Sequence, residues 1–227
     1  MNYLLDAIRW VLDPANITGP TGYLHLMWQH LGFTLLGVGA AILVALPVGL
    51  YVGHTGRFRS LAVLVTGLAR ALPTLGLLTL LALIFGIGLE APTLAFVVLA
   101  VPSILAGAYS GLESVPRTVT DGARAQGMTE LQILTRVEIP LGMELILGGI
   151  RSAFLQVLAT AMLASYVGNS SLGTLIFLGL KTSDYPMMLA GSVLVVILAI
   201  VSDLLLAALQ RSLRPKGIAR PADALTT

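Results

Sequence analysis

The chain has 227 residues, of which 56% are hydrophobic and 11% are charged, with a net charge of +2. Globular domains carry about 25% charged residues, so this chain lacks the charge that coats a water-soluble surface. The composition predicts a membrane protein with several spanning segments. The absence of cysteine excludes thiol catalysis, cysteine-ligated metals and disulfide bonds, and the small net charge does not indicate nucleic-acid binding.

Residues 1–22 form a separate N-terminal segment. Its apolar residues recur at helical spacing, which predicts one short amphipathic helix. These residues are Leu4, Leu5, Ile8, Val11 and Leu12. A basic start and a small-residue cleavage site are both missing, so the segment is not expected to be a signal peptide. We expect it to lie at the outer membrane interface.

Five apolar runs follow, each long enough to cross a hydrocarbon core of about 30 Å. They cover residues 31–52, 61–88, 93–112, 141–167 and 186–209. The second run contains Arg70 and Pro73, so we expect an inner-leaflet segment up to residue 72, a break at Pro73 and the crossing itself after the break. Residues 175–180 are apolar but too few to span, which predicts a re-entrant or interfacial turn.

Four ionisable residues inside or beside the runs are candidates for pairing within the bundle. They are Arg70, Glu144, Arg151 and Asp203. An isolated charge inside a membrane is unfavourable, so we expect Asp203 to pair with Arg151 or Arg70. Arg70 could instead extend to the inner interface. Glu144 is seven residues before Arg151 and therefore shares its helix face, which favours structural pairing of these two side chains.

No residue cluster indicates a metal site. His25 and His30 are five residues apart at the start of the first run, and we expect both to be solvated at the membrane interface rather than to bind a metal.

Basic residues are concentrated on one side of the predicted membrane. They occur after the first run, after the third run and in the tail of residues 211–227: Arg57, Arg59, Arg117, Arg124, Arg136, Arg211, Arg214, Lys216 and Arg220. The opposite side has Arg9 and Lys181. The positive-inside rule therefore places the N-terminus outside and the tail in the cytoplasm, which agrees with five crossings.

Residues 113–140 are the longest polar interruption between the runs, and we call them the central block. Pro116 suits the first turn of a helix, where its missing N–H costs nothing. This helix is expected to reach Gln126, with Gly127 as a left-handed cap. It has three small residues at its centre that would fit into a groove on another protein: Gly122, Ala123 and Ala125.

A second helix is predicted to begin at Thr129, because Gln132 completes a capping-box pattern. Its apolar stripe would consist of Leu131, Leu134 and Val137. Pro140 is expected to end this helix at the membrane. The spacing alone leaves open whether the block binds a partner or is a simple cytoplasmic loop.

The central block resembles the cytoplasmic signature of permeases from binding-protein-dependent ABC importers. That signature is Glu-Ala-Ala, three residues, Gly, nine residues, and Ile-x-Leu-Pro. The positions that match here are Asp121, Gly122, Ala123, Gly127, Val137, Ile139 and Pro140. Four of them are conservative replacements: Asp121, Gly122, Val137 and Ile139. The five-crossing layout is also similar to that of the smaller permeases of this family.

Three further segments look like the osmoprotectant branch, which imports glycine betaine, choline, carnitine and similar compatible solutes. They are HLGFTL at 30–35, RALPT at 70–74 and GGIRSA at 148–153. Residues 166–173 depart from the more Gly-rich turn that is usual in the branch. The D-methionine permeases share the layout and are the nearest alternative.

The resemblance implies an all-α permease of the type I ABC importer kind, with five transmembrane helices in a single domain over residues 1–227. It implies a multi-pass protein of the prokaryotic cytoplasmic membrane. Its partners would be a second permease chain, identical or related, a dimer of ABC ATPase subunits, and an extracytoplasmic solute-binding protein. The chain would be a transport subunit without enzymatic activity.

ATP would be handled by the partner, because this chain has no GxxxxGK[ST] phosphate loop and we expect no cofactor on it. The resemblance also implies that a coupling helix docks on the ATPase. Its residues would be Thr120, Asp121, Gly122, Ala123, Arg124, Ala125, Gln126, Gly127 and Met128.

Two other classes of protein fit the sequence less well than an ABC permease. An ion-coupled secondary transporter predicts several intramembrane acids or an inverted repeat, whereas only Asp203 is a convincing acid and no repeat is evident. An intramembrane hydrolase needs a nucleophile and a base at membrane depth, but all three histidines precede the second crossing. Quaternary ammonium solutes favour aromatic cages, and only 6% of this chain is aromatic, so tight recognition would belong to the external binding protein.

The charge distribution yields a topology that can be measured. A phosphatase fused after Thr227 should be inactive and a fluorescent protein fused there should be bright, because the basic tail is retained in the cytoplasm. Fusions after Gly88, in the turn between the second and third runs, should give the opposite pair of signals. Periplasmic phosphatase activity at the C-terminus would overturn the predicted orientation.

Overall fold

The computed structural model of the chain describes residues 2–213, so most of the predicted cytoplasmic tail lies outside the described residues. Within that range the structure is helical. The helices are α1 Tyr3–Leu12, α2 Tyr23–Thr55, α3 Arg59–Arg70, α4 Thr74–Phe85, α5 Glu90–Glu113, α6 Arg117–Ala125, α7 Glu130–Ile133, α8 Ile139–Thr160, α9 Gly173–Thr182 and α10 Tyr185–Ser212. The α-helix of α8 continues as a 3₁₀-helix over Ala161–Val167.

The predicted amphipathic N-terminal helix is present as α1. It packs against the start of α10, where the rings of Tyr3 and Tyr185 meet edge to face with centroids 5.6 Å apart. Ala7 is buried in this contact, whereas Leu4 and Ile8 remain exposed. The exposed apolar side chains suit a helix that lies against lipid.

Three long helices, α2, α5 and α8, form the core, and α5 lies between the other two. The α5–α8 contact depends on glycine pairs. A Cβ on Gly107 would lie 2.7 Å from the Cα of Gly149, and a Cβ on Gly142 would lie 2.5 Å from the carbonyl oxygen of Gly111. Small residues at such positions let membrane helices pack backbone to backbone.

The second apolar run is broken at the predicted proline. Helices α3 and α4 are separated by residues 71–73 and meet at an angle of 87°. The 12 residues of α4 extend about 18 Å, which is too short for a hydrocarbon core of about 30 Å. Residues 2–213 therefore contain four helical stretches of spanning length, and five spans if the bent pair counts as one.

The short apolar segment after the fourth run is also as expected. Helix α9 has 10 residues and packs against α10. The turn before it is tied to the α4–α5 connection, because the Asn169 side chain donates a hydrogen bond to the Gly88 carbonyl oxygen at 3.0 Å. The starts of α5 and α10 therefore lie at one end of the bundle, and the central block lies at the other.

The prediction that Pro140 ends the second helix of the block is wrong. Helix α7 passes into a π-helical segment, Leu134–Glu138, and continues as α8 with Pro140 in its first turn. A proline normally interrupts a helix, because it lacks an N–H and its ring clashes with the carbonyl four residues earlier. The wider π turn relieves this clash, so the helical path runs unbroken from Glu130 to Val167.

The glycine contact between α5 and α8 predicts that two glycines of α8 differ in their tolerance of alanine. Gly142→Ala should lower the free energy of unfolding by about 1–3 kcal/mol, because the added methyl group has no space against the α5 backbone. Gly148→Ala on the same helix is the control, since its Cβ would meet nothing closer than the Gln210 side chain at 3.8 Å. Thermal unfolding in detergent checks both variants, and equal midpoints would contradict the close packing.

Candidate functional site

The turn between α6 and α7 is built from backbone hydrogen bonds at a left-handed glycine. Gly127 has φ +83°, and its N–H donates to the Arg124 carbonyl oxygen at 2.9 Å, while the Met128 N–H donates to that of Ala123 at 3.2 Å. This pair of bonds is the Schellman motif, which closes a helix end sharply. The predicted left-handed cap is therefore confirmed.

The start of α7 has the predicted capping box. The Thr129 hydroxyl accepts a hydrogen bond from the Gln132 N–H at 3.4 Å, and the Gln132 side chain accepts one from the Thr129 N–H at 2.9 Å. Both bonds satisfy amide groups that the first turn of a helix leaves free. The two helices of the central block are thus joined by a turn with little freedom to bend.

One side of α6 faces solvent and the other faces the chain itself. The exposed residues are Asp121, Gly122, Arg124, Ala125, Gln126 and Gly127, and Met128 is half-buried. Thr120 and Ala123 are buried. The expectation that all three small residues face a partner is therefore wrong for Ala123, which faces its own chain, whereas a Cβ on Gly122 would meet nothing within 4 Å.

The predicted apolar stripe on the second helix is not the buried face. Leu131 is 69% exposed, whereas Ile133 is fully buried. Leu131 and Ile133 are two residues apart, so their side chains point to opposite sides of α7. Val137 lies within the π turn Leu134–Glu138, which changes the spacing that a stripe of Leu131, Leu134 and Val137 requires.

Arg124 holds the block together through two carboxylates. Its Nε and Nη2 atoms donate to Glu130 Oε1 and Oε2 at 2.8 and 3.0 Å, and its Nη1 donates to Asp121 Oδ1 at 2.9 Å. The hydrogen bonds to Glu130 raise the pKa of the Arg124 guanidinium above its ordinary value. The two helices are therefore joined by paired side chains as well as by the backbone turn.

A histidine from α2 completes this network. His54 Nδ1 lies 2.5 Å from Glu138 Oε2, and His54 Nε2 lies 3.4 Å from Glu130 Oε2. The side chains of His54 and Glu138 are only 14% and 8% exposed. The sequence alone does not indicate this contact, because 84 residues separate the two partners. The sequence offers one sign that Glu138 has a partner, which is its position as an acid between the apolar residues Val137 and Ile139.

A polar cavity of about 510 Å³ separates α6 from the ends of α2 and α5. Its ionisable lining residues are His54, Arg59, Glu113, Arg117, Asp121, Arg124 and Glu138. Arg59 Nε contacts Glu113 Oε1 at 3.0 Å, which ties the start of α3 to the end of α5.

A second charged cluster joins α8 to α10. Arg151 Nε and Nη2 each lie 2.6 Å from Asp203 Oδ1, and Gln210 donates to the Glu144 carbonyl oxygen at 3.0 Å. Asp203 therefore pairs with Arg151, which is one of its two predicted partners. Arg70 is exposed at the end of α3 and makes no ion pair within residues 2–213.

The expectation that His30 is solvated is wrong. Helix α2 begins at Tyr23, so His30 lies two turns inside it and faces α8, where its Nε2 atom is 2.8 Å from the Leu158 carbonyl oxygen. His25 is exposed. Across the described part of the chain, no group of three or more His, Asp or Glu side chains could hold a metal ion.

Comparison with known proteins gives consistent results. Residues 26–215 match the family model described as the binding-protein-dependent transport system inner membrane component. The chain is 37% identical over 224 residues to the osmoprotectant import permease protein OsmW of Salmonella typhimurium, covering 94% of this chain and 100% of that protein. It is 33% identical over 191 residues to the carnitine transport permease protein OpuCB of Listeria monocytogenes, covering 84% and 88%.

The structural comparison supports the fold. A structure of the MetNI methionine ABC transporter in an inward-facing conformation aligns with a TM-score of 0.73 and 23% identity, covering 85% of this chain and 96% of that chain. A second inward-facing MetNI structure aligns with a TM-score of 0.72.

The Arg151–Asp203 pair should stabilise the bundle only while both partners are present. Asp203→Leu should lower the free energy of unfolding by about 1–2 kcal/mol, less than for a fully buried pair, because the two side chains are 31% and 35% exposed. Arg151→Leu/Asp203→Leu should recover most of this loss. The exposed Arg9–Asp6 pair is the control, and Asp6→Leu should change the unfolding midpoint little. An additive double variant would contradict the pairing.

Proposed function

The chain belongs to the family of binding-protein-dependent transport system inner membrane components, and within that family we propose that it is the permease of an ABC importer for a compatible solute. The observation that carries the proposal is the exposed surface of α6 in the central block. An otherwise apolar chain presents a short polar helix there, with Gly122 and Ala125 open to solvent. Such a surface fits a groove on a water-soluble partner.

The proposed partner of α6 is the ATPase. The chain itself carries no phosphate loop, so nucleotide binding belongs to that partner. Three residues, 114–116, connect α6 to α5, and the Gly127 turn connects it to the helical path that continues into α8. Movement of a docked α6 would therefore be transmitted to two core helices. Tilting of these helices as rigid bodies would alternate the opening of the path between the two sides of the membrane.

The proposed solute class is that of glycine betaine, choline and carnitine. Its support is the naming of the relatives: OsmW is called an osmoprotectant import permease and OpuCB a carnitine transport permease. The likeness to the methionine transporter supports the fold alone, since the identity is 23%. Few aromatic residues are available to enclose a quaternary ammonium group, so we assign tight recognition to an external solute-binding protein.

The proposed assembly contains two permease chains, two ATPase subunits and one solute-binding protein. We propose the orientation that places the N-terminus outside and the central block in the cytoplasm. The support for this orientation is that basic residues near the end of α2 and in the central block, Arg59 and Arg124 among them, line one cavity at one end of the bundle.

The test is uptake by proteoliposomes that contain the permease with its ATPase and receive the solute-binding protein from outside. Radiolabelled glycine betaine, choline, carnitine and D-methionine are offered separately. We expect import of at least one compatible solute that requires internal ATP, and no import of D-methionine. Import driven by an ion gradient without ATP, or import of D-methionine alone, would refute the proposed function.

The docking role of α6 predicts a specific loss. Gly122→Trp should reduce both capture of the ATPase and solute uptake at least tenfold, because the large side chain would keep α6 from entering the partner's groove. The chain itself should still insert and fold, since a Cβ at this position would meet no described atom within 4 Å apart from the adjacent residues and backbone of α6. His25→Trp, at an exposed site at the other end of α2, is the control and should retain full ATPase capture. Normal ATPase capture by Gly122→Trp would show that α6 is not the docking surface.

A further inference from the structure

We propose that His54 is a positioning residue that fastens α2 to the coupling helix α6, so that the ATPase moves three core helices instead of two. The proposal rests on the proposed function, because it assumes that α6 receives the force. The chain itself links α6 to only two of the three core helices and does not link it to α2. Helix α6 is linked covalently to α5 and, through α7, to α8, whereas α2 continues into α3.

The link from α2 to α6 consists of three side chains. His54 stands in the last turn of α2, two residues before the Gly56 cap. Its Nε2 atom approaches Glu130 Oε2 at 3.4 Å, and the same oxygen accepts a hydrogen bond from Arg124 Nη2 at 3.0 Å. Arg124 belongs to α6. Glu130 therefore connects the end of α2 to the docking helix, by a close polar contact on the His54 side and charge-assisted hydrogen bonds on the Arg124 side.

The second contact of His54 is the more buried one. Its Nδ1 atom lies 2.5 Å from Glu138 Oε2, and Glu138 is buried. A hydrogen bond between two shielded side chains resists separation, because either partner alone would be left as a buried polar group without a hydrogen bond. His54 is thus held against the path from α7 to α8 more firmly than a surface side chain would be.

The π-helical segment supplies the geometry of this contact. Glu138 is its last residue. One extra residue in a turn rotates every following side chain by about 100° relative to an uninterrupted α-helix. The π turn therefore sets the direction in which Glu138 points, toward the end of α2. Such turns cost hydrogen-bond geometry and often occur at functional sites.

The cavity beside the link contains a natural control. Arg59 and Glu113 also form an ion pair, at 3.0 Å, but this pair joins α3 to α5 and does not involve α6. The Arg59 side chain is 64% exposed. If any ion pair near the cavity were sufficient for coupling, removal of this pair would have the same effect as removal of His54. The proposal requires the two effects to differ.

The test measures solute imported per ATP hydrolysed by the reconstituted transporter. His54→Ala should lower this ratio about tenfold, within the usual range of coupling between distant sites, while ATPase capture stays unchanged. His54→Asn, whose amide nitrogen replaces Nδ1, should restore part of the ratio. Adding Glu138→Ala to His54→Ala should cause little further loss, because both variants break the same contact. Arg59→Ala should keep the wild-type ratio.

A wild-type ratio in His54→Ala, or an equal loss in Arg59→Ala, would overturn the proposal. If the alanine variant does not insert into the membrane, Glu138→Gln provides the same test with the same two outcomes. A wild-type transporter that imports no solute with ATP would instead refute the proposed function, whatever His54 does.

A second readout needs neither the ATPase nor a solute. The chain has no cysteine, so spin labels can be attached only where cysteines are introduced, at exposed Trp28 on α2 and Thr118 on α6. We expect a narrow distance distribution in the otherwise wild-type chain and a clearly broader one with His54→Ala. Identical widths would show that His54 does not position α6 relative to α2, and would overturn the proposal.

Discussion

The close approach of α5 to α8 is the constraint on which the rest of the structure depends. Lipid tails are as apolar as leucine side chains, so moving such a side chain from lipid into a helix contact gains little free energy. Membrane helices therefore associate through close backbone packing. Glycine pairs such as Gly111 and Gly142 allow this approach. Because α5 ends where the central block begins and α8 starts where it ends, the distance between these helices also sets the span that α6 and α7 must bridge.

Within that span, the central block is built to keep its shape. The left-handed Gly127 turns the chain sharply, the Thr129–Gln132 capping box begins the next helix, and Arg124 joins α6 to α7 through both carboxylate oxygens of Glu130. Each of these contacts is small by itself on an exposed surface. Together they make a short helix with little freedom to change shape, because the turn has few alternative conformations.

The path from α7 to α8 breaks a local rule of helix formation. A proline at position 140 normally ends a helix, yet the helix continues through a π turn, and the same turn directs Glu138 to His54. Departures from local preference are expected where function requires a particular geometry. The proline and the π turn are thus two parts of one arrangement, in which the end of α2 is held against the helix that leaves the block.

The sequence by itself determined the apolar spans, the break at Pro73, the Gly127 turn and the Thr129 capping box, because each follows from residues within one or two helical turns. Only the tertiary structure decided that Ala123 faces inward, that His30 is buried, and which charged groups meet. His54 and Glu138 are 84 residues apart, and His30 and Leu158 are 128 apart. Such contacts depend on the rotation and depth of each helix, which packing between helices sets and local residue patterns do not encode.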